Sequence, residues 1–210
     1  FGPGMDGQGL LLDGSGDYRH LGPGLNARFG RLYNVELKLN YEGNRQDFQY
    51  AGDVAPHYLV GRMRQETLGA TLNFSANLTP SLTLSYYANP YVTNGRFRAF
   101  LEAAAPRDRD AAMRFRQLDP VFDPVANRYT VLDPTGAYTF DNPDFTWRDL
   151  KSSLVLRWDY RPGSTLHLVW SYAGNSSDLD DRPLLDAQHS VFRLPATNTL
   201  LLKFSYWFSG

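Results

Sequence analysis

The sequence predicts an all-β fold: an antiparallel transmembrane β-barrel, of which this chain holds the C-terminal portion. Three observations carry that expectation. The end of the chain alternates, with Leu200, Leu202, Phe204, Tyr206 and Phe208 on one face and Thr199, Leu201, Lys203, Ser205 and Trp207 on the other; a period of two marks a strand with one apolar face. The same figure recurs along the chain. Short turns then alternate with long connections, the organisation of outer-membrane barrels, whose short rim faces the periplasm.

The first strand is expected over 17–28, with Leu21, Pro23, Leu25 and Ala27 opposite Tyr18, His20, Gly22 and Gly24. Tyr33, Val35, Leu37, Leu39 and Tyr41 alternate with Asn34, Glu36, Lys38 and Asn40. Leu68, Ala70, Leu72, Phe74, Ala76 and Leu78 form the next apolar face, and Thr79-Pro80-Ser81 turns the chain into Leu82, Leu84, Tyr86 and Ala88. Leu150, Leu154, Leu156, Trp158 and Tyr160 lie opposite Lys151, Ser153, Val155, Arg157 and Asp159. Leu166, Leu168, Trp170 and Tyr172 follow after Arg161-Pro162-Gly163-Ser164, where Pro presets φ and Gly accepts a positive φ.

Residues 1–210 thus read as one barrel domain of about seven strands, joined by short turns near 27–31, 78–81 and 161–164. Long connections are expected near 42–66, 93–145 and 174–197. The segment 93–146 is expected as a long extracellular loop. The spacing of Phe97, Phe100, Leu101 and Ala104 predicts a short helix within 97–117; Pro106 would break it or start a second one at Asp108–Leu118. A hairpin is expected to pair Tyr129–Leu132 with Tyr138–Phe140 across Asp133-Pro134-Thr135-Gly136. Bacterial barrels have even strand numbers, and the chain opens on Phe1-Gly2-Pro3-Gly4 rather than on an initiator Met. The barrel is therefore expected to be N-terminally incomplete here.

A half-buried soluble sheet also alternates, and three features favour lipid over it. The mixed face carries Glu36, Lys38, Lys151, Arg157, Asp159 and Lys203, while the centre of the apolar face carries no charge; an Arg or Lys on a lipid face at the midplane costs roughly 2–4 kcal/mol. Aromatic residues gather at the strand ends, at Tyr33, Tyr41, Trp158, Tyr160, Trp170, Tyr172, Tyr206 and Phe208, where amphipathic rings suit headgroup level. The strands run about 9–11 residues, the length of a tilted crossing. No run of about 18 apolar residues exists, which excludes a transmembrane helix but not a barrel. With His167 added, the charged mixed-face residues are the candidate lumen lining, which suits a solvated or salt-bridged interior with pairing across strands, or else a selective pore.

Composition narrows the function classes. Lys and Arg number 21 against 22 Asp and Glu, so nothing favours nucleic acid as a partner. The absence of Cys removes disulfides, thiolate metal sites and cysteine nucleophiles. His20, His57, His167 and His189 lack metal-ligand spacing. Asp178, Asp180 and Asp181 read as a solvated acidic loop, without the Gly and distal Glu of a calcium loop. Asp119, Asp123, Asp133 and Asp141 share one long segment, but nothing fixes the separation of about 5–9 Å that glycoside hydrolysis requires. Phe115, Phe122, Tyr129, Tyr138 and Phe140 suit either sugar stacking or a small core folding that segment. No catalytic residue, cofactor or metal site is expected.

Several runs carry a family likeness: 138–145, Leu156-Arg157-Trp158-Asp159-Tyr160-Arg161-Pro162-Gly163-Ser164-Thr165-Leu166, Leu168-Val169-Trp170, Leu202 to Phe208, and Gln65 to Leu68 through Tyr91 to Phe97. Asn142-Pro143-Asp144-Phe145 and the Trp158 to Thr165 run are the specific part. Together they resemble the C-terminal barrel of a bacterial domain-of-unknown-function family that follows a carbohydrate-binding family 9-like domain. The resemblance spans most of residues 30–210. It implies a bacterial outer-membrane location and a preceding sugar-binding-like domain outside this chain, and it transfers no catalytic residue. Phe204, Tyr206 and Phe208 resemble the barrel-assembly signal, with Lys203 where glycine is usual. The expected partners are outer-membrane lipid, the barrel-assembly machinery, and glycans or an envelope protein on the long loops. The expected function is a non-enzymatic transport or surface-anchoring module. The competing expectation is a soluble β-rich domain that binds or hydrolyses glycans.

Overall fold

A computed structural model describes residues 2–6, 12–13, 16–134, 136–179 and 182–208. Its elements are β1 (Gly2–Asp6), β2 (Leu12–Asp13), β3 (Gly16–Phe29), β4 (Tyr33–Val54), β5 (His57–Thr79), β6 (Leu82–Glu102), α1 (Ala111–Arg114), β7 (Arg116–Gln117), β8 (Val121–Asp123), β9 (Arg128–Asp133), β10 (Gly136–Asp141), β11 (Phe145–Arg161), β12 (Ser164–Asp178), α2 (Leu184–Ser190) with a 3-10 turn (Val191–Arg193), and β13 (Ala196–Ser205). Every pairing is antiparallel. The large sheet runs β1-β3-β4-β5-β6-β11-β12-β13, with β2 added to β3 and β7 to β6; β10-β9-β8 form a second, small sheet. Among the described residues no pairing joins β13 to β1, so the large sheet is open. No described helix is long and apolar enough to cross a membrane.

Residues opposite each other across a ladder share a face, and the register therefore assigns the two faces. Leu25, Leu37, Leu72, Ala88, Ser152 and Tyr172 form one row; Ala76, Leu84, Leu156, Leu168 and Leu202 form another on the same side. Glu36, Asn73, Tyr87, Ser153, Ser171 and Thr199 form a row on the other side. The alternation read from the sequence is thus one largely apolar face and one mixed face, on which polar rows alternate with aliphatic ones such as Val155, Val169 and Leu201. Leu72, Leu84, Leu156 and Leu168 are half-buried, and Leu202 is 65% exposed; protein does not seal this part of the face.

The three short turns stand where expected, at 30–32, 80–81 and 162–163. Gly163 adopts φ +72°, and the Trp207 side chain lies where its Cβ would be. The third long connection stands near 174–197, between Asp178 and Ala196, but the first two differ from expectation. β4 continues to Val54 and β5 starts at His57, while β6 continues to Glu102 and β11 starts at Phe145. Most of 42–66 is therefore strand. The ladders slip between Gln46 and Gln49, Tyr50 and Gly52, and Val60 and Arg62. Each slip shifts the parity of the side chains and erases the period-two signal.

The helix expected within 97–117 is corrected by the same cause. Met63 pairs with Phe97, but Leu59 pairs with Glu102, so β6 carries one extra residue in between. Ala99 sits there at φ +54°. The bulge turns Phe97, Phe100 and Glu102 to one side, and the three-residue spacing that imitates a helix is a bulged strand. In this segment Ala111–Arg114 is helical, inside the second helix expected after Pro106. The hairpin is as read, with Leu132 opposite Ala137 and Phe140 opposite Tyr129; Thr135 lies outside the described residues. β1 adds an eighth strand to the main path, correcting the count of seven. β13 ends at Ser205, so Tyr206, Trp207 and Phe208 lie beyond the strand. Trp170 stands mid-sheet between Leu154 and Leu200, not at a strand end.

Two small cores lie on opposite faces. On the polar face, Leu59, Met63, Phe97, Phe100, Leu118, Val131 and Phe140 bury each other and dock the small sheet. On the apolar face, Val92 and Leu150 are covered by Ala187, Val191 and Leu194 of the α2 segment. Gln188 donates to the Pro90 carbonyl at 3.3 Å, and the Tyr172 hydroxyl donates to the Leu194 carbonyl at 3.0 Å. Leu185 and Phe192 point outward, 67% and 62% exposed, so the apolar character of this face continues over the helix. The first core is tight at Gly95: a Cβ there would meet Phe145 Cε1 at 2.3 Å. Gly95→Ala is expected to displace the Phe145 ring and cost about 1–3 kcal/mol, read as a lower unfolding midpoint with the large sheet retained.

Candidate functional site

The predicted lining residues do occupy one face, but they pair along strands rather than across them. Lys38 Nζ lies 3.4 Å from Glu36, Arg157 3.2 Å from Asp159, and Lys151 3.9 Å from Asp149. Asn73 also donates to Glu36 at 3.3 Å. The register explains this: the neighbours of Lys38 are Gly24 and Thr71, and those of Lys151 are Asn89 and Ala173. Charged partners are found only two residues along the same strand. Arg157, His167 and Lys203 share one cross-strand row at the short-turn end, placing an imidazole between two cationic side chains. The expected cross-strand ion pairing is absent from that row.

At the same rim Phe204 stacks on Tyr160 at 5.5 Å on the apolar face, and Tyr160 donates to the Ser205 carbonyl at 3.1 Å. Beyond the strand, Tyr206 and Phe208 meet at 4.5 Å, and the Arg161 guanidinium lies 4.9 Å above the Tyr206 ring.

At the opposite end the topology assembles a polar cluster that the sequence did not reveal. His57 Nδ1 and Glu102 Oε1 are 2.6 Å apart. Arg116 donates through Nε to Glu102 at 3.0 Å and through a terminal nitrogen to Glu102 and to Asp133, the latter at 2.5 Å. The His57 ring stacks on Tyr138 with centroids 4.1 Å apart and planes 8° apart. Glu102 is 8% exposed. Burial pushes its carboxyl up, but hydrogen bonds from His57 and Arg116 and the Arg116 charge outweigh that and hold it below the usual carboxylate range. Burial, then the Glu102 charge, pushes the Tyr138 phenol up. The cluster ties β5, β6 and β7 to the small sheet. Its members lie far apart in sequence and share no motif, so only pairing of strands brings them together.

Tyr129, Tyr138 and Phe140 of the loop aromatics join a core, while Phe115 stacks on Phe48 at 5.0 Å outside it and Phe122 is 41% exposed. Phe100 lies 4.8 Å from Tyr129 and 5.1 Å from Phe140, and Tyr129 lies 4.8 Å from Phe122. The loop carboxylates serve turns and ion pairs. Asp123 accepts from the Val125 and Ala126 amides, Asp141 pairs with Arg128 at 2.7 Å, and Asp144 accepts from the Phe97 amide at 2.6 Å. Asp178 pairs with Arg148; Asp180 and Asp181 lie outside the described residues. Among the described residues no group of His, Asp or Glu is placed to hold a metal ion. No protein-family model matches the chain, and no curated protein matches it.

Proposed function

We propose that the chain is part of a bacterial outer-membrane β-barrel that works as a non-enzymatic transport or surface-anchoring module. The observation that carries this reading is the apolar face, which protein leaves open except where the α2 segment folds over its upper end. It crosses seven adjacent strands, β3 to β6 and β11 to β13. On β6 it runs from Leu82 through Leu84, Tyr86, Ala88 and Pro90 to Val92, the last lying under the α2 segment. That stretch is about 33 Å along the strand, or about 24 Å of height at a tilt of ~45°, against an apolar band of about 25 Å in outer-membrane barrels. Its area is on the order of 800 Å² from strand spacing and length, more than the ~300–600 Å² of the largest patch on a typical soluble monomer. Hydrocarbon covers such a face without partner specificity. The polar face then lines the interior, with the small sheet over one mouth. The resemblance to the barrel that follows a carbohydrate-binding family 9-like domain supports the same location, and makes outer-membrane lipid, the assembly machinery and glycans or an envelope protein the partners.

Flotation with phosphatidylcholine vesicles after refolding, with heat-modifiable gel migration, tests this. Co-flotation with a heat-sensitive compact band is the expected result. A monodisperse species in buffer without detergent would overturn the reading and favour a soluble glycan-binding domain.

A further inference from the structure

Above the apolar band, the same face turns cationic. Continuing the register upward from the row Leu21, Tyr41, Leu68 and Val92, the next row holds Arg19 and Glu66. Above it Arg45, Arg64 and Arg96 stand directly opposite one another on β4, β5 and β6. One row further, Arg62 stands opposite Arg98. Like charges facing across a ladder destabilise it, so the facing guanidinium groups carry a local cost.

Protein meets part of this charge: Arg96 donates to the Phe145 carbonyl at 3.0 Å and the Thr146 hydroxyl at 3.4 Å, Arg98 donates to the Phe97 carbonyl at 2.6 Å, and carboxylates lie near the ladder. Asp47 is shared by Arg62 at 2.8 Å and Arg45 at 3.4 Å; Glu66 takes Arg64 at 2.9 Å and the Tyr41 hydroxyl at 2.9 Å; Asp144 lies 3.8 Å from Arg98. The Arg64 and Arg98 side chains remain 73% and 70% exposed. A concavity of about 220 Å³ opens between Asp17, Arg19, Tyr41, Arg45, Arg64 and Glu66.

The choice of cation is also informative. The chain's three lysines, Lys38, Lys151 and Lys203, all lie on the polar face, whereas every cation of the ladder is arginine. Arginine presents a planar fork that grips phosphate oxygens in pairs, and it loses less on leaving water than lysine. Height agrees with this chemistry. Each row adds ~6.7 Å along a strand, about 5 Å of height at a tilt of ~45°. The ladder therefore stands roughly 5–15 Å beyond the hydrocarbon edge, in the headgroup layer.

We propose that this arginine ladder on β3 to β6 binds the phosphate groups of an anionic lipid headgroup, seated at the rim of the apolar band with its acyl chains along Leu21, Tyr41 and Leu68. This rests on the membrane reading above. The phosphate neutralises the facing guanidinium groups, so lipid binding and sheet stability are coupled.

The test uses the whole chain in dodecyl maltoside micelles, with and without bisphosphorylated lipid A, and the variants Arg64→Gln and Arg45→Gln/Arg64→Gln. Both sites are exposed, so the variants fold. Without lipid A, Arg64→Gln is expected to raise the unfolding midpoint by relieving repulsion. With lipid A the order reverses, and retained lipid A falls about tenfold, the loss of one charge-assisted hydrogen bond. Equal lipid A retention by wild type and double variant would overturn the proposal. So would equal protection by inorganic phosphate at matched concentration, which would make the ladder a free-anion site. Flotation with phosphatidylcholine alone separates the two readings: a chain that floats yet shows no reversal sinks the ladder only, and one that does not float sinks both.

Discussion

Leu156→Arg is expected to lose about 1–3 kcal/mol of stability in a bilayer, since a cation on a lipid-facing side costs roughly 2–4 kcal/mol at the midplane and less toward the interface. Leu156 lies one row in from the short-turn edge of the band, between Leu84 and Leu168. Val155→Arg, one residue away, faces Ser85 and Val169 on the polar side and is expected to cost under about 1 kcal/mol, because a lumenal cation keeps its water. Both variants add the same charge at adjacent positions, and Val155→Arg makes the larger change in size and strand propensity, so a larger loss at Leu156 reports which face meets hydrocarbon. Folded fraction after refolding into vesicles, read as the heat-modifiable band, measures it. Equal losses at both sites would remove the two-sided partition. Improved recovery of Leu156→Arg in plain buffer would point to a water-facing sheet instead.

The second large effect is expected at the cluster on the far end. Glu102→Gln leaves Arg116 with Asp133 alone and weakens the His57 contact. Breaking a charged hydrogen bond costs about 1.5–3 kcal/mol; Arg116 is 43% exposed, and water reduces this to about 1–2 kcal/mol. The sign of the pH dependence follows from Glu102. Its native pKa lies below the ordinary value, so its contribution is fully present above the ordinary glutamate pKa of about 4.3. It is lost as pH falls through the depressed native value. Acid should therefore release the small sheet before the large one unfolds. Limited proteolysis between β6 and β11 is the readout: wild type becomes cleavable only in acid, Glu102→Gln already at neutral pH. Identical cleavage of both proteins across that range would mean the cluster does not hold the small sheet.

The two halves of the large sheet differ in how readable they were. From Tyr33 to Tyr41, Leu68 to Leu78 and Leu150 to Tyr172, period-two alternation and Pro-Gly turns gave correct strands, turns and faces, since both signals are local. Past Glu42 and before Glu66 the strands continue, but bulges reset the parity and hid them. The Phe97 to Phe100 spacing imitated a helix for that reason. The α2 segment over Val92 and Leu150 gave no sign that it would fold back on the apolar face, because its partners stand on other strands.

The candidate site divides the same way. That Lys38, Lys151, Arg157 and Lys203 share the polar side was legible, since side-chain parity follows from residue number alone. Their partners were not: Glu36, Asp149 and Asp159 compete with cross-strand neighbours that only the register names. Tertiary pairing alone placed His57, Glu102, Arg116 and Asp133 together, and stacked Arg45, Arg64 and Arg96 in one row. A strand's alternation is fixed by backbone geometry within the strand, whereas which residues meet across it depends on a register that no single segment encodes.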